Sequence, residues 1–392
     1  MSSRLKWIIS ICHAFLLIGI TAFWMNTAYT YGDESFVIRW ASIVKRIVLQ
    51  IDQDPPSKNY LFINLAYDKA IIPREEGPGN EVITDRKQLA AFFNIIKRNQ
   101  DSIRFTVCDV FLKGSSDYDS VLQSSLNGIR NIVFPAHANE DGGLEELAVK
   151  VPAALADYQM ASGGFLKFKL FQHEQKKTLP VYLYEQTTGK ELHKKNGFYF
   201  DGEYLSMNSQ IIDYQIRAHE LLEEAEYPVV SLSELMLLPE DMMVSEFLRG
   251  RMIFMGDFDS DRHDTIFGST PGTLILANVY LTLKDGQHLI GIWWLLFLLI
   301  SYTLFTNLML FPPKVMDSEN MHWAGTLLGS AAFLVMVSVI SYLLFNKHIQ
   351  VLILTLYINL LRFIVKVDRS QLTGTNAKKW IRALPGTYYK FK

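Results

Sequence analysis

Cysteine is almost missing from these 392 residues: the chain carries two, Cys12 and Cys108. Cys12 falls in a long apolar run and Cys108 in a short strand-like one, so the two are not expected to meet. That excludes a disulfide framework and leaves the redox compartment open. The stretch 26–288 has no N-x-S/T sequon, a weak pointer to a bacterial envelope protein. Internal repeats and low-complexity tracts are absent as well, which removes solenoid and tract architectures.

Charge is missing from three long runs. Residues 7–25, 289–311 and 323–345 carry none, and each has the length at which a helix spans a hydrocarbon core of about 30 Å. A fourth stretch, 349–365, holds Gln350, Asn359 and Arg362. It is expected as a fourth span, with Arg362 near its end snorkelling to the interface. The first run is long for a signal-peptide core and no A-x-A site follows it, so it reads as an uncleaved anchor. Arg4 and Lys6 precede it in the short N-terminus 1–6, and the tail 366–392 carries seven Lys+Arg against Asp368. Positive flanks stay cytoplasmic, so four spans place both termini there, in a bacterial inner membrane, with 26–288 outside.

The net charge of −2 hides a separation. Residues 26–288 hold 26 Lys+Arg against 37 Asp+Glu, a net −11; the rest holds 12 against 3, a net +9. An acidic exterior repels phosphates, which argues against nucleic acid as a ligand.

Outside the membrane runs the periodicity predicts an α/β domain. Residues 36–51 place Val37, Trp40, Ala41, Val44, Val48 and Ile51 on one helical stripe, with Arg39, Ser42, Lys45 and Arg46 opposite. Strands are expected at 60–66, 102–112 and 129–135, and helices at 84–99, capped by Thr84, and 117–128, with a loop at 73–80. Such alternation indicates a mostly parallel sheet flanked by helices. Residues 165–171, 181–186 and 197–207 read as antiparallel edge strands, the last with a turn at Asp201-Gly202. A helix is expected over 231–250 with Ser231 or Ser233 as cap, a last strand at 251–256, and a helix at 273–283.

The densest motif follows that last strand: GDFDSDRHD, with Asp257, Asp259, Asp261, His263 and Asp264. A calcium loop needs Gly at its sixth position and Glu at its twelfth, where this chain has Arg262 and Gly268. A two-metal phosphoesterase needs histidines from other strand ends. The outer histidines are His137, His173, His193, His219, His263 and His288, and none of those upstream of the loop stands in D-x-H spacing. No catalytic residue is therefore assigned. Asp257, Asp259, Asp261 and His263 remain weak metal candidates beside the alternative that Asp257 caps a turn and the other carboxylates are solvated. In the apolar runs, Gly325 and Gly329 form a G-x-x-x-G pair suited to close packing, whereas Cys12, His13 and Asn307 read as isolated.

The order anchor, outer α/β region, clustered C-terminal spans resembles the second type of CHASE domain, an extracellular sensory domain of bacterial cyclases and histidine kinases. The resemblance rests on LRGRMIFMGD, Asp264, Pro271-Gly272 and Ala277-Asn278; on CDVF with Asp109, followed by Asp117 and Asp119; and on YPVVSLSELM at 227–236. It departs at Leu276, where a histidine is frequent. The resemblance implies a sensor with ligand-contact or coupling residues at Asp109, Asp119, Gly256, Asp257, Asp264 and Asn278, and no cofactor. The 366–392 tail is too short for an output domain, so the expected partner is a separate cytoplasmic output or effector protein, gripped by the basic tail and the 312–322 loop. A homodimer is compatible with this layout. A structural or assembly subunit of an envelope complex, and a metal-dependent phosphoesterase, are the alternatives.

Overall fold

The computed structural model describes residues 2–27, 32–51, 54–74, 78–139, 143–157, 164–172, 176–221, 227–311 and 323–372. The 312–322 loop and most of the basic tail, 373–392, lie outside the described residues. The chain divides into two compact units. One comprises Met25–Gly291 with Phe345–Lys347; the other comprises Met1–Trp24, Ile292–Leu344 and His348–Lys392.

The first unit is built on six strands: β1 (Tyr60–Asn64), β2 (Phe105–Cys108), β3 (Ile132–Ala136), β4 (Ala153–Leu155), β5 (Val229–Ser231) and β6 (Met252–Gly256). They run in the order β5-β1-β6-β2-β3-β4, every pair parallel. A parallel sheet is covered on both faces, which is why β1, β2, β3 and β6 are near-continuous apolar runs. Side chains alternate between the two cores. Tyr60, Phe62, Val107 and Phe254 enter one, with the Phe62 and Phe254 rings stacked at 5.8 Å between neighbouring strands. Leu61, Ile63, Cys108, Ile253 and Met255 enter the other.

Helices α3 (Arg86–Asn99) and α4 (Asp119–Leu126) cover the second face through residues such as Phe92, Phe93 and Leu122. Helices α5 (Leu179–Thr188) and α6 (Gly272–Lys284) cover the first. The mostly parallel sheet flanked by helices is thus as the alternation predicts. An earlier helix, α2 (Gly32–Ile43), continues into a π-helical turn, Val44–Val48.

Several expected elements are corrected. VYLYEQ at 181–186 is helical, within α5: Pro180 sits in the first turn, where its missing N–H costs nothing, and Gly189 closes the helix at φ +71°. The N-cap of α3 is Asp85, not Thr84. Thr84 is still paired with Lys69 in a hairpin of Lys69–Pro73 and Asn80–Thr84, so Asp85 is the first residue free to accept from the Lys87 and Gln88 N–H groups. The expected 231–250 helix is broken by Pro239 into Leu232–Leu235, with a Ser231–Glu234 capping box, and Glu240–Met242 running into a π-helical turn. Strand β6 is central, and a hairpin of Arg262–Thr265 and Gly268–Pro271 follows it, so it is not the last strand. The antiparallel pieces form small separate sheets: Leu192–Lys195, Phe198–Asp201 and Tyr204–Ser206 pair together, and Lys167–Lys169 pairs Ser209–Ile211. In α2 the buried face is Glu34, Val37, Ile38, Ala41 and Ser42, continued by Lys45; Trp40 and Val48 of the expected stripe are exposed.

In the second unit α1 (Ser3–Met25), α7 (Ile292–Leu310) and α8 (Trp323–Phe345) contain stretches long and apolar enough to cross a membrane. Helix α9 (Val351–Leu372) has a shorter apolar part, Val351–Ile364. His13 and Asn307 are not isolated. His13 Nδ1 pairs with Thr306 Oγ1 at 2.8 Å and its Nε2 with Tyr357 Oη at 3.1 Å, while Asn307 donates to Ser10. A Cβ at Gly329 would meet nothing within 4 Å, so this glycine is not at a close helix contact among the described residues.

Candidate functional site

Ligand groups of open parallel sheets gather beyond the carboxyl ends of the strands, and here those ends carry polar residues in adjacent strands. Asp109 follows β2, Asp257 follows β6 and His137 follows β3. The Asp109 N–H donates to Met255 O at 2.7 Å, extending the ladder by one residue and fixing the aspartate at the sheet edge.

The Asp109 carboxylate accepts from Thr273 Oγ1 at 2.9 Å, in the first turn of α6. Gly256 makes that approach possible. A Cβ there would lie 1.9 Å from Thr273 Oγ1 and 3.3 Å from Asp109 Cβ, so the glycine is the space through which α6 reaches the aspartate. Asp261 packs on the same helix end. Its backbone oxygen accepts from Gly272 N at 2.9 Å, and a Cβ on Gly272 would come within 2.4 Å of its carboxylate. Burial first, then the negative charge of Asp261, push the Asp109 carboxyl up to about 7, against the opposing pull of Thr273 and His137.

His137 is held by a carboxylate: its Nδ1 lies 2.6 Å from Asp157 Oδ1, and the Ala138 N–H donates to Asp157 Oδ2 at 2.8 Å. The Phe111 ring stands edge-on to the imidazole at 4.6 Å. A protonatable carboxyl and a carboxylate-oriented imidazole on adjacent strand ends can bind a polar ligand by donating or accepting hydrogen bonds near neutral pH.

The sequence-selected residues divide. Asp257 serves its own turn. Its Oδ1 accepts from the Asp259 and Ser260 N–H groups at 3.1 and 2.7 Å, and its Oδ2 from Lys69 Nζ at 3.0 Å. Desolvation raises its pKa, but the Ser260 N–H and Lys69 outweigh it, and the carboxyl ends below the ordinary range. Asp259 accepts from Asn64 Nδ2 at 3.3 Å, and His263 Nε2 lies 3.0 Å from Asp261 Oδ1. Asp257 and Asp259 are thus engaged by different partners while Asp261 and His263 pair with each other, and no group of three His, Cys, Asp or Glu side chains among the described residues is placed to hold a metal ion.

Asp264 is exposed, and its backbone oxygen accepts from Phe165 N at 2.8 Å. Asp119 accepts from the buried Arg86, which also donates to Lys113 O and Gly114 O, and so ties α3 to α4. Asn278 is buried and bridges α6 to Ile216, accepting from its N–H at 2.9 Å and donating to its C=O at 2.8 Å. Sequence reasoning missed His137 and Asp157 as partners in the site and underrated Asp261. For His137 the signal was available, since it stands just beyond the expected strand 129–135; the short strand ahead of Asp157, Ala153–Leu155, carries no such pattern. No family model, curated protein or solved structure matches the chain.

Proposed function

We propose that this chain is a membrane-anchored sensor whose outer α/β domain, of the second CHASE type, takes up a ligand or envelope component at the carboxyl edge of the sheet. The change passes through the apolar helices to a separate cytoplasmic protein. Helix α6 supports this reading most. Its first turn carries Thr273, bonded to Asp109, and its last residue, Lys284, shortly precedes α7 in the chain. A ligand that takes Asp109 from Thr273 acts on the helix that leads directly to an apolar one, and such a differential contact is what shifting a population requires. The proposal includes four crossings, the fourth near 349–365, in a bacterial inner membrane with both termini cytoplasmic.

The test is a thermal-shift screen of the full chain in lipid nanodiscs against metals and polar metabolites, with wild type and Asp109→Asn side by side. A compound that raises the wild-type midpoint and leaves the variant unmoved supports the reading, as does recovery of a cytoplasmic signalling or effector protein with the tagged chain. No shift with any compound, together with stoichiometric recovery of fixed envelope subunits, would instead favour a structural or assembly subunit. Asp119 and Asn278 favour that second reading, because internal bonds engage both side chains. For the phosphoesterase alternative, equal inactivity of wild type and Asp257→Asn in a phosphodiesterase assay sinks it.

A further inference from the structure

Helix α2 is apolar on two faces. One face is buried: it carries Val37, Ile38 and Ala41, Glu34 meets Lys167 at 2.7 Å, and Lys45 Nζ donates to Asn346 Oδ1 at 2.7 Å. The opposite face carries Phe36, Trp40 and Ile47, spaced four and seven apart, at 65%, 56% and 64% exposure. The Phe36 and Trp40 rings touch edge to face at 6.3 Å. Val48 and Ile51 flank the stripe, exposed, and Arg39 borders it in solvent. Single exposed apolar residues are ordinary; a contiguous stripe rimmed by a charge marks a contact surface.

Two observations select its occupant. First, α1 ends at Met25 and α2 starts at Gly32, so the intervening chain reaches at most about 25 Å. Helix α1 is long and apolar enough to cross a membrane, and α2 therefore begins within that reach of the point where the chain leaves the bilayer. Second, the Lys45 partner Asn346 lies in the turn joining α8 and α9. A turn between two apolar helices that enter a bilayer lies at its surface, and Lys45 holds the π-helical end of the segment to that turn. Aromatic and aliphatic side chains beside arginine are the composition of headgroup-level segments.

We propose that α2 and its π-helical continuation form an interfacial element, with Phe36, Trp40 and Ile47 seated at the headgroup–acyl boundary of the outer leaflet. The element holds the domain against the lipid surface. This rests on the reading that α1 crosses the membrane.

The test uses the full chain with Cys12→Ser in nanodiscs of phosphatidylethanolamine and phosphatidylglycerol, Cys108 being buried. Nitroxides are placed singly through Phe36→Cys, Trp40→Cys and Ile47→Cys. Phe15→Cys on α1 serves as the lipid control and Leu237→Cys, 85% exposed, as the water control. The expected result is that the ratio of oxygen to nickel-chelate accessibility at 36, 40 and 47 matches Phe15 and inverts that at Leu237. Ratios like Leu237 at all three sites overturn the proposal while leaving the anchor intact. Low access to both reagents with dipolar broadening also overturns it, by assigning the stripe to a second copy of the chain. A watery Phe15 removes the membrane reading and the proposal with it.

Discussion

Asn278 makes its bonds where no water can replace them. Its side chain satisfies both the N–H and the C=O of Ile216 and also donates to Leu274 O. Asn278→Leu strands both Ile216 groups, and at roughly 1–3 kcal/mol for a buried unsatisfied group the loss is expected to be about 3 kcal/mol, read as a lowered urea midpoint. Gly256→Ala is expected to destabilise more than Gly272→Ala. The first sets a Cβ 1.9 Å from the hydroxyl that Asp109 holds, while the second meets only the end of the Asp261 side chain, which can swing away. Equal melting temperatures for the two variants would contradict the packing at the α6 end. For Asp109 the sign follows from its pKa, 3.8 in an ordinary setting and about 7 here. Across that window the folded state keeps a proton that the unfolded state has lost. Its contribution to stability is therefore full below the ordinary pKa and is lost as pH rises to about 7. Subtracting the pH profile of Asp109→Asn from that of wild type should leave that downward slope, and parallel profiles would refute the assignment.

Elements were legible where one physical signal dominated. Strands β1, β3 and β6 stand out because a strand buried on both faces has almost no polar residue, and the alternation with α3 and α4 then implies a parallel sheet. Segment 181–186 was not legible, because its buried apolar residues Val181, Leu183 and Tyr184 suit a strand or a short buried helix equally. The deciding groups, Pro180 and Gly189, flank the run rather than lie in its pattern. The α2 stripe was misread for a related reason: two apolar faces defeat a single-stripe search, and the buried face is set by the Glu34 and Lys45 contacts. Within the site, Asp109 could be found from its strand, whereas the role of Asp261 depends on a turn that folds its carboxylate onto α6. Caps give a direct check at this scale. Asp85→Ala should cost about 1 kcal/mol, the usual worth of an N-cap side chain, and Thr84→Ala clearly less, measured as shifts in unfolding midpoint.

At the scale of the whole chain, α9 decides where the basic tail lies. Its apolar part, Val351–Ile364, covers about 21 Å as a helix, short of the hydrocarbon thickness of about 30 Å. Two features offset the deficit. Asn359 does not face lipid unpaired, since its Nδ2 donates to Ser330 Oγ on α8 at 2.8 Å and to Thr355 O at 2.8 Å. Arg362, near the end of the apolar part, can extend its charge toward headgroups and lengthen the tolerated span. The charge pattern argues in the same direction, because 366–392 holds seven Lys+Arg against one Asp and basic flanks of that kind favour the cytoplasmic side. A fusion of green fluorescent protein after Lys392 is therefore expected to fluoresce in cells, and an alkaline phosphatase fusion at the same position to be inactive. The reverse pair of results would mean that α9 lies along the bilayer surface, that three helices cross, and that the tail is outside, where it could not contact a cytoplasmic partner. Since the proposed signalling route ends on that tail, this measurement separates a sensor that can reach the cytoplasm from an outer scaffold with an anchor.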